Sequence, residues 1–235
     1  MPASPPPTLP AGQYALSGPA KVRDARVTPI RGDLADIALA GKLFAPHYVV
    51  PMEKAVAGAY AAVRKSARAD AEQTSELLSG ERFMVLEIAG EWAWGYCAHD
   101  RYNGYVLADA LVEPNGDPPA AAAGNPVEAA LERIGTPYIW GARGGAGIDC
   151  SGLVQTAFAR AGLSLPRDSD QQEACGEAVD APRRGDLAFF PGHVAILTAD
   201  DALVHASQSA GAVVTEPLAD VVARKGEPTH LRRLL

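Results

Sequence analysis

Cys150 opens an apolar helical pattern, with Leu153, Val154, Ala157, Phe158 and Ala161 spaced along one helix face. Asp149 stands at the N-cap position and Gly162 at the C′ position. A cysteine in the first helical turn meets unpaired backbone N–H groups and the positive end of the helix dipole. Both favour the thiolate, so the sequence predicts a thiol titrating below its ordinary value and suited to nucleophilic attack. The competing role is a buried core cysteine. Against it stands the glycine-rich approach from Trp140 to Gly147, which feeds straight into the helix.

A thiol nucleophile needs a base within hydrogen-bond reach and a group that orients the base. The chain has five histidines; His47 and His99 fall in a β-like stretch and His230 near the C-terminus. His193 and His205 lie on successive strand-like runs after the cysteine helix. His193 has the parity of Ala195 and Leu197. It shares a face with His205 only if the connecting loop has an odd number of residues, so an odd loop is predicted around 199–201.

The elements that would hold these residues read as α+β. Asn125-Pro126 starts a helix with Asn at the cap and Pro at N1; Val127, Ala130, Leu131 and Ile134 form its apolar face and Gly135 closes it. The cysteine helix follows, then candidate strands at Asp186–Phe190, His193–Leu197, Ala202–Ala206 and Ala212–Val214. Helices first and strands afterwards argue for an antiparallel sheet with helices packed on it. Upstream, short strand-like runs between turn residues suggest a small barrel over about residues 46–113. Residues 114–124 read as a linker and 1–45 as an N-terminal arm; the arm is proline-rich up to about residue 20, with a short helical turn near Asp36–Ala40.

Several ordered motifs carry a family resemblance. Tyr138-Ile139-Trp140-Gly141, Asp149-Cys150-Ser151-Gly152-Leu153-Val154-Gln155, Pro166-Arg167-Asp168-Ser169, Arg184-Gly185-Asp186, Gly192-His193-Val194 and Val204-His205-Ala206 resemble the NlpC/P60 cysteine peptidases. Gly90-Glu91-Trp92 and Asp100-Arg101-Tyr102-Asn103-Gly104-Tyr105-Val106 resemble a bacterial SH3-like domain. The resemblance implies a papain-like catalytic domain at 125–235 behind a β-barrel SH3-like domain. It implies Cys150 as nucleophile, His193 as base and His205 as the residue orienting it, with no metal or organic cofactor. The Cys150 backbone N–H would serve part of an oxyanion hole.

The domain order is similar to cytoplasmic γ-D-glutamyl-L-diamino acid endopeptidases of the dipeptidyl-peptidase VI type. That similarity implies murein tripeptide or tetrapeptide substrates with a free N-terminal L-Ala. It implies that Asp149, Ser151, Asp168 and Ser169 bind the amine end, and that Tyr102 reaches over from the SH3-like domain. Asp149 and Asp168 also stand where helix caps would, and Tyr102 where a barrel aromatic would. Glu76 and Glu81 both fit loosely as a further amine contact. The chain departs from the family's frequent Trp-Gly-Gly at Trp140-Gly141-Ala142.

Composition sets outer bounds. A formal net charge of -7 over 235 residues argues against a nucleic-acid partner or a cationic membrane anchor. Three cysteines do not make a disulfide framework. The first residues carry neither a basic segment nor an apolar run, and no stretch is long enough to span a bilayer, so the expected location is the cytoplasm. The alternatives carried forward are a hydrolase of intact wall and a wall-binding SH3-like module.

Overall fold

The computed structural model describes residues 23–120 and 123–235; the proline-rich start of the arm lies outside them. Strands β1 (Leu34–Asp36) and β2 (His47–Val49) pair in parallel, joined through a 3-10 turn at Ile37–Leu39. The turn falls where the Asp36–Ala40 run predicted it. Asp36 caps it, its side chain accepting from the Ala38 N–H.

The barrel-like unit comprises β3 (Met52–Val56), β4 (Tyr60–Arg64), β5 (Gln73–Leu78), β6 (Arg82–Ala89), β7 (Trp92–Cys97), β8 (Asn103–Leu107) and β9 (Leu111–Val112). They form one antiparallel sheet in the order β5-β4-β8-β7-β6-β3-β9, with bulges between Val63 and Arg64 and between Val85 and Glu87 that bend it. Val63, Leu77, Phe83, Val85, Ala93 and Val106 share its core. The opposite face of β6 and β7 is covered as well: Leu86, Trp94 and Tyr96 pack against Leu34 and Val49. This explains why Phe83-Met84-Val85-Leu86 is apolar without alternation, as a strand covered on both sides should be. Thus β2, expected within the barrel, belongs to an outer cover that begins in the arm.

The C-terminal half starts with α1 (Pro126–Leu131), where the Asn125 side chain accepts from the N–H groups of Val127 and Glu128. The helix stops at Leu131, short of the predicted Gly135, and Ile134 is half exposed rather than on the apolar face. Gly135 instead donates its N–H to Val213 O. Next comes α2 (Cys150–Ala159), closed by paired bonds from Gly162 N to Ala159 O and from Leu163 N to Phe158 O. Gly162 has φ +77°, as a C′ glycine requires.

After α3 (Ser169–Gln172) come β10 (Glu177–Ala178), β11 (Leu187–Phe190), β12 (His193–Ala199), β13 (Ala202–Ser207), β14 (Ala212–Pro217), α4 (Leu218–Lys225) and β15 (His230–Arg233). The sheet runs β10-β15-β11-β12-β13-β14, with every pair antiparallel. Val127, Leu153, Val154 and Phe158 from the helices pack on Leu187, Val194, Ile196 and Val204. Among the described residues no helix is long and apolar enough to cross a membrane.

Candidate active site

Cys150 is the first residue of α2, and its position is set by Asp149. The Asp149 carboxylate accepts from Gly152 N (2.7 Å), from Gly141 N (2.8 Å), and from both Arg167 Nη atoms (3.0 and 2.6 Å). It therefore caps the helix, ties the glycine loop down, and pairs with an arginine that is 1% exposed. Arg167 Nη1 also donates to Ser151 Oγ at 2.8 Å. The glycines of the approach allow this packing. A Cβ on Gly152 would sit 2.4 Å from Ala142 O, and one on Gly141 would sit 2.4 Å from Gln73 O of β5.

The thiol is buried, and burial pushes it up to about 11, with the Asp149 charge adding to the rise. Hydrogen bonds from the Val194 and Ser151 backbones pull the other way without prevailing. The expectation of a depressed thiol is thereby corrected: at this helix terminus desolvation outweighs the favourable N–H groups. The Cys150 N–H, at N1, is one of the helix donors left without an intrahelical partner.

His193 and His205 meet. His193 Nε2 lies 2.7 Å from His205 Nδ1, with the rings edge to face. The predicted odd loop is absent: β12 and β13 are joined by the two residues Asp200 and Asp201. Parity is instead shifted by a bulge between Leu197 and Ala199, which leaves Thr198 as the extra residue. Without it, His205 would turn to the other face.

Glu216 of β14, which the sequence reading missed, stands behind this pair with Oε2 3.7 Å from His205 Nε2. Its carboxylate favours the His205 proton on Nε2. Nδ1 then accepts from His193 Nε2–H, which leaves the lone pair on His193 Nδ1. Burial holds His193 down at about 3, helped by His205, Lys225 and Arg224. Burial also lowers His205, opposed by Glu216. Only strand parity signals Glu216 in the sequence: it sits one strand over, two residues from Val214, the cross-strand partner of His205.

A cleft of about 920 Å³ runs past Cys150 between the two units. Asp149, Ser151, Asp168, Ser169 and Tyr102 all line it. Tyr102 Oη donates to Asp168 Oδ2 at 3.0 Å, so the two residues are brought together across the unit boundary. Burial raises the Asp168 carboxyl, opposed first by Arg167. Asp149 lines the cleft, but both its oxygens are already engaged within the protein. Glu76 and Glu81 are directed elsewhere: Glu76 accepts from Arg143 N and Gly145 N, and Glu81 pairs with the Arg143 side chain. Arg26 was also missed; its Nη1 donates to Asp168 Oδ2 at 2.8 Å. The mixed composition of residues 24–43 gave no signal for it.

Known proteins resemble both halves. Residues 135–226 match the NlpC/P60 family, and residues 63–111 match the bacterial dipeptidyl-peptidase Sh3 domain. Dipeptidyl-peptidase 6 of Lysinibacillus sphaericus is 43% identical over 86 residues, 35% of this chain and 32% of that protein. Gamma-D-glutamyl-L-lysine dipeptidyl-peptidase of Bacillus cereus is 35% identical over 112 residues, 43% of this chain and 34% of that protein. The chain spans about a third of the length of these curated relatives. A crystal structure of an NlpC/P60 family protein from Bacillus cereus aligns with a TM-score of 0.45 at 25% identity, over 78% of this chain and 63% of that one. The chain thus carries an NlpC/P60 domain behind a bacterial dipeptidyl-peptidase Sh3 domain.

Proposed function

We propose that the protein is a cysteine peptidase that hydrolyses the γ-D-Glu to diamino acid bond of peptidoglycan peptides bearing a free N-terminal L-Ala, in the recycling of murein tripeptides and tetrapeptides in the cytoplasm. The observation that carries this reading is the approach of Tyr102 and Asp168 across the cleft from Cys150. A carboxylate there can receive an ammonium, and a phenol can fix its position. The name of the Bacillus cereus relative, a gamma-D-glutamyl-L-lysine dipeptidyl-peptidase, supports a γ-D-glutamyl bond.

The residues divide the work as follows. Cys150 attacks the amide carbonyl after passing its proton to His193 Nδ1, and His193 returns that proton to the leaving amine, leaving a thioester on Cys150; water, giving its proton to His193, then cleaves the thioester, releases the carboxylate and restores the thiol. The Cys150 N–H receives the developing oxyanion. His205 and Glu216 hold the base in its tautomer. Asp168, Ser169 and Tyr102 hold the amine end, while Asp149 and Ser151 act through Arg167 to keep the cleft floor in shape.

The test compares L-Ala-γ-D-Glu-meso-diaminopimelate with its N-acetylated twin by product analysis. Acetylation is expected to lower kcat/KM at least about a hundredfold, because the carboxylate loses its cationic partner. Equal cleavage of both would discard free-amine recognition and favour intact wall as substrate. For the relay, Glu216→Gln is expected to lower kcat about tenfold with KM little changed. A rise in KM alone would place Glu216 outside the proton path.

A further inference from the structure

Residues 24–28 lie outside both matched domains, yet Ala25 and Arg26 line the same cleft as Tyr102 and Asp168. The segment is firmly held. Asn103 Nδ2 donates to Ala25 O (2.8 Å) and Thr28 O (2.7 Å), and Asn103 N donates to Arg26 O (2.7 Å). Gln171 Nε2 from α3 donates to Asp24 Oδ2 at 2.8 Å. The strap is therefore tied to both walls of the cleft.

Arg26 is spent entirely on carboxylates. Its Nε donates to Asp24 (3.0 Å), its Nη1 to Asp168 and Asp170 (both 2.8 Å), and its Nη2 to Asp24 (2.6 Å) and Asp170 (2.7 Å). No guanidinium nitrogen is left over for a substrate carboxylate. Three aspartates around one arginine leave the cluster net negative, so it still attracts an ammonium. The guanidinium lies against Asp168 on the cleft lining.

We propose that this strap, pinned by Arg26, is the stop that ends the amine side of the cleft and fixes how many residues may precede the scissile bond. The inference rests on the peptidase reading above and names its length selectivity. Substrates with two residues ahead of the bond place their ammonium on Asp168. One further residue carries the ammonium about 3.5 Å outward, into the place the guanidinium holds. The acceptors there are then occupied by a protein cation, and the longer peptide meets a clash with it.

The experiment measures kcat/KM of the full chain for L-Ala-γ-D-Glu-diaminopimelate and for the same peptide extended by an N-terminal glycine. The protein as it stands is expected to prefer the shorter peptide at least about a hundredfold. Arg26→Ala empties the outer position while leaving its carboxylates, so the ratio should shrink at least tenfold, through a lower KM for the extended peptide. Arg26→Lys, a cation that reaches fewer of the carboxylates, should fall between. Asn103→Ala, which frees the strap without touching the charges, should shrink the ratio too, and covers the case in which Arg26→Ala fails to fold. An unchanged ratio in Arg26→Ala and Asn103→Ala, with both peptides slowed alike, would overturn the stop and leave a merely structural role. Equal cleavage of both peptides by the unaltered protein would also overturn it while keeping the peptidase. Cleavage of neither would remove the peptidase reading and the stop with it.

Discussion

Cys150→Ala is expected to abolish hydrolysis of L-Ala-γ-D-Glu-meso-diaminopimelate, by at least about a thousandfold, with the thermal transition little moved. The reason for the size is that the thiol forms the bond that is made, and nothing else along the cleft wall replaces it. The same cysteine is expected to behave unusually in the absence of substrate. With the thiol pushed up to about 11, the thiolate fraction at pH 7 is only ~10⁻⁴, against a few per cent for an ordinary cysteine. His193, held at about 3, remains neutral over the whole working range. The resting pair is thus thiol and imidazole, and the proton moves when a substrate carbonyl and its oxyanion donors are in place. Iodoacetamide labelling followed by peptide mapping checks this: Cys150 should label slowly at pH 7 and faster up to and beyond pH 9. Rapid labelling that is flat from pH 6 to 9 would mean a preformed thiolate–imidazolium pair.

The sign for stability follows from the same imidazole. The unfolded chain takes up the His193 proton near 6.5, and the folded one resists until about 3. Between those values the unfolded state binds more protons, so stability falls as pH drops through that window. The acid limb of kcat/KM should accordingly lie well below 6.5.

Motifs made the cysteine helix legible because capping chemistry is local. Asp149 and Gly162 sit at the two ends that their side chains and backbone preferences dictate. The two histidines were legible as a pair, but the device that faces them inward was not. A bulge at Thr198 and an odd loop give the same parity, and nothing in Ile196-Leu197-Thr198-Ala199 distinguishes them. The α1 pattern ran on to Ile134 because periodicity says nothing about where a partner surface ends; beyond Leu131 the chain turns to meet Val213. Residues 24–49 were opaque for a related reason. Their apolar residues are irregularly spaced because they divide between a small cluster of their own, around Ala35, Leu39 and Ala45, and the outer face of β6 and β7. The thiol was misjudged because a one-dimensional reading counts helix donors and cannot count excluded water.

Arg167→Met is expected to destabilise the protein by about 3–5 kcal/mol, lowering the thermal midpoint by roughly 6–20 °C. Arg167 and Asp149 form a two-pronged pair of which both members are buried, at 1% and 4% exposure. Removing the arginine strands a carboxylate from which water is excluded. It also leaves Ser151 Oγ without its cationic donor. Asp149 cannot relax away, because Gly152 N and Gly141 N still hold it at the head of α2. The double variant Asp149→Leu with Arg167→Met separates charge from shape. Removing both charges should restore most of the lost stability, since a paired buried charge gains little over a packed apolar pair. Activity should not return with it. Leucine cannot accept from Gly152 or Gly141, so the first turn carrying Cys150 loses its cap and the glycine loop its tether. A single Arg167→Met protein within about 1 kcal/mol of the original would show that Asp149 finds another partner, and that the pair does not hold the helix head. Recovery of stability without turnover would instead make the pair's purpose alignment: two charges kept in the interior because together they fix where the sulfur sits.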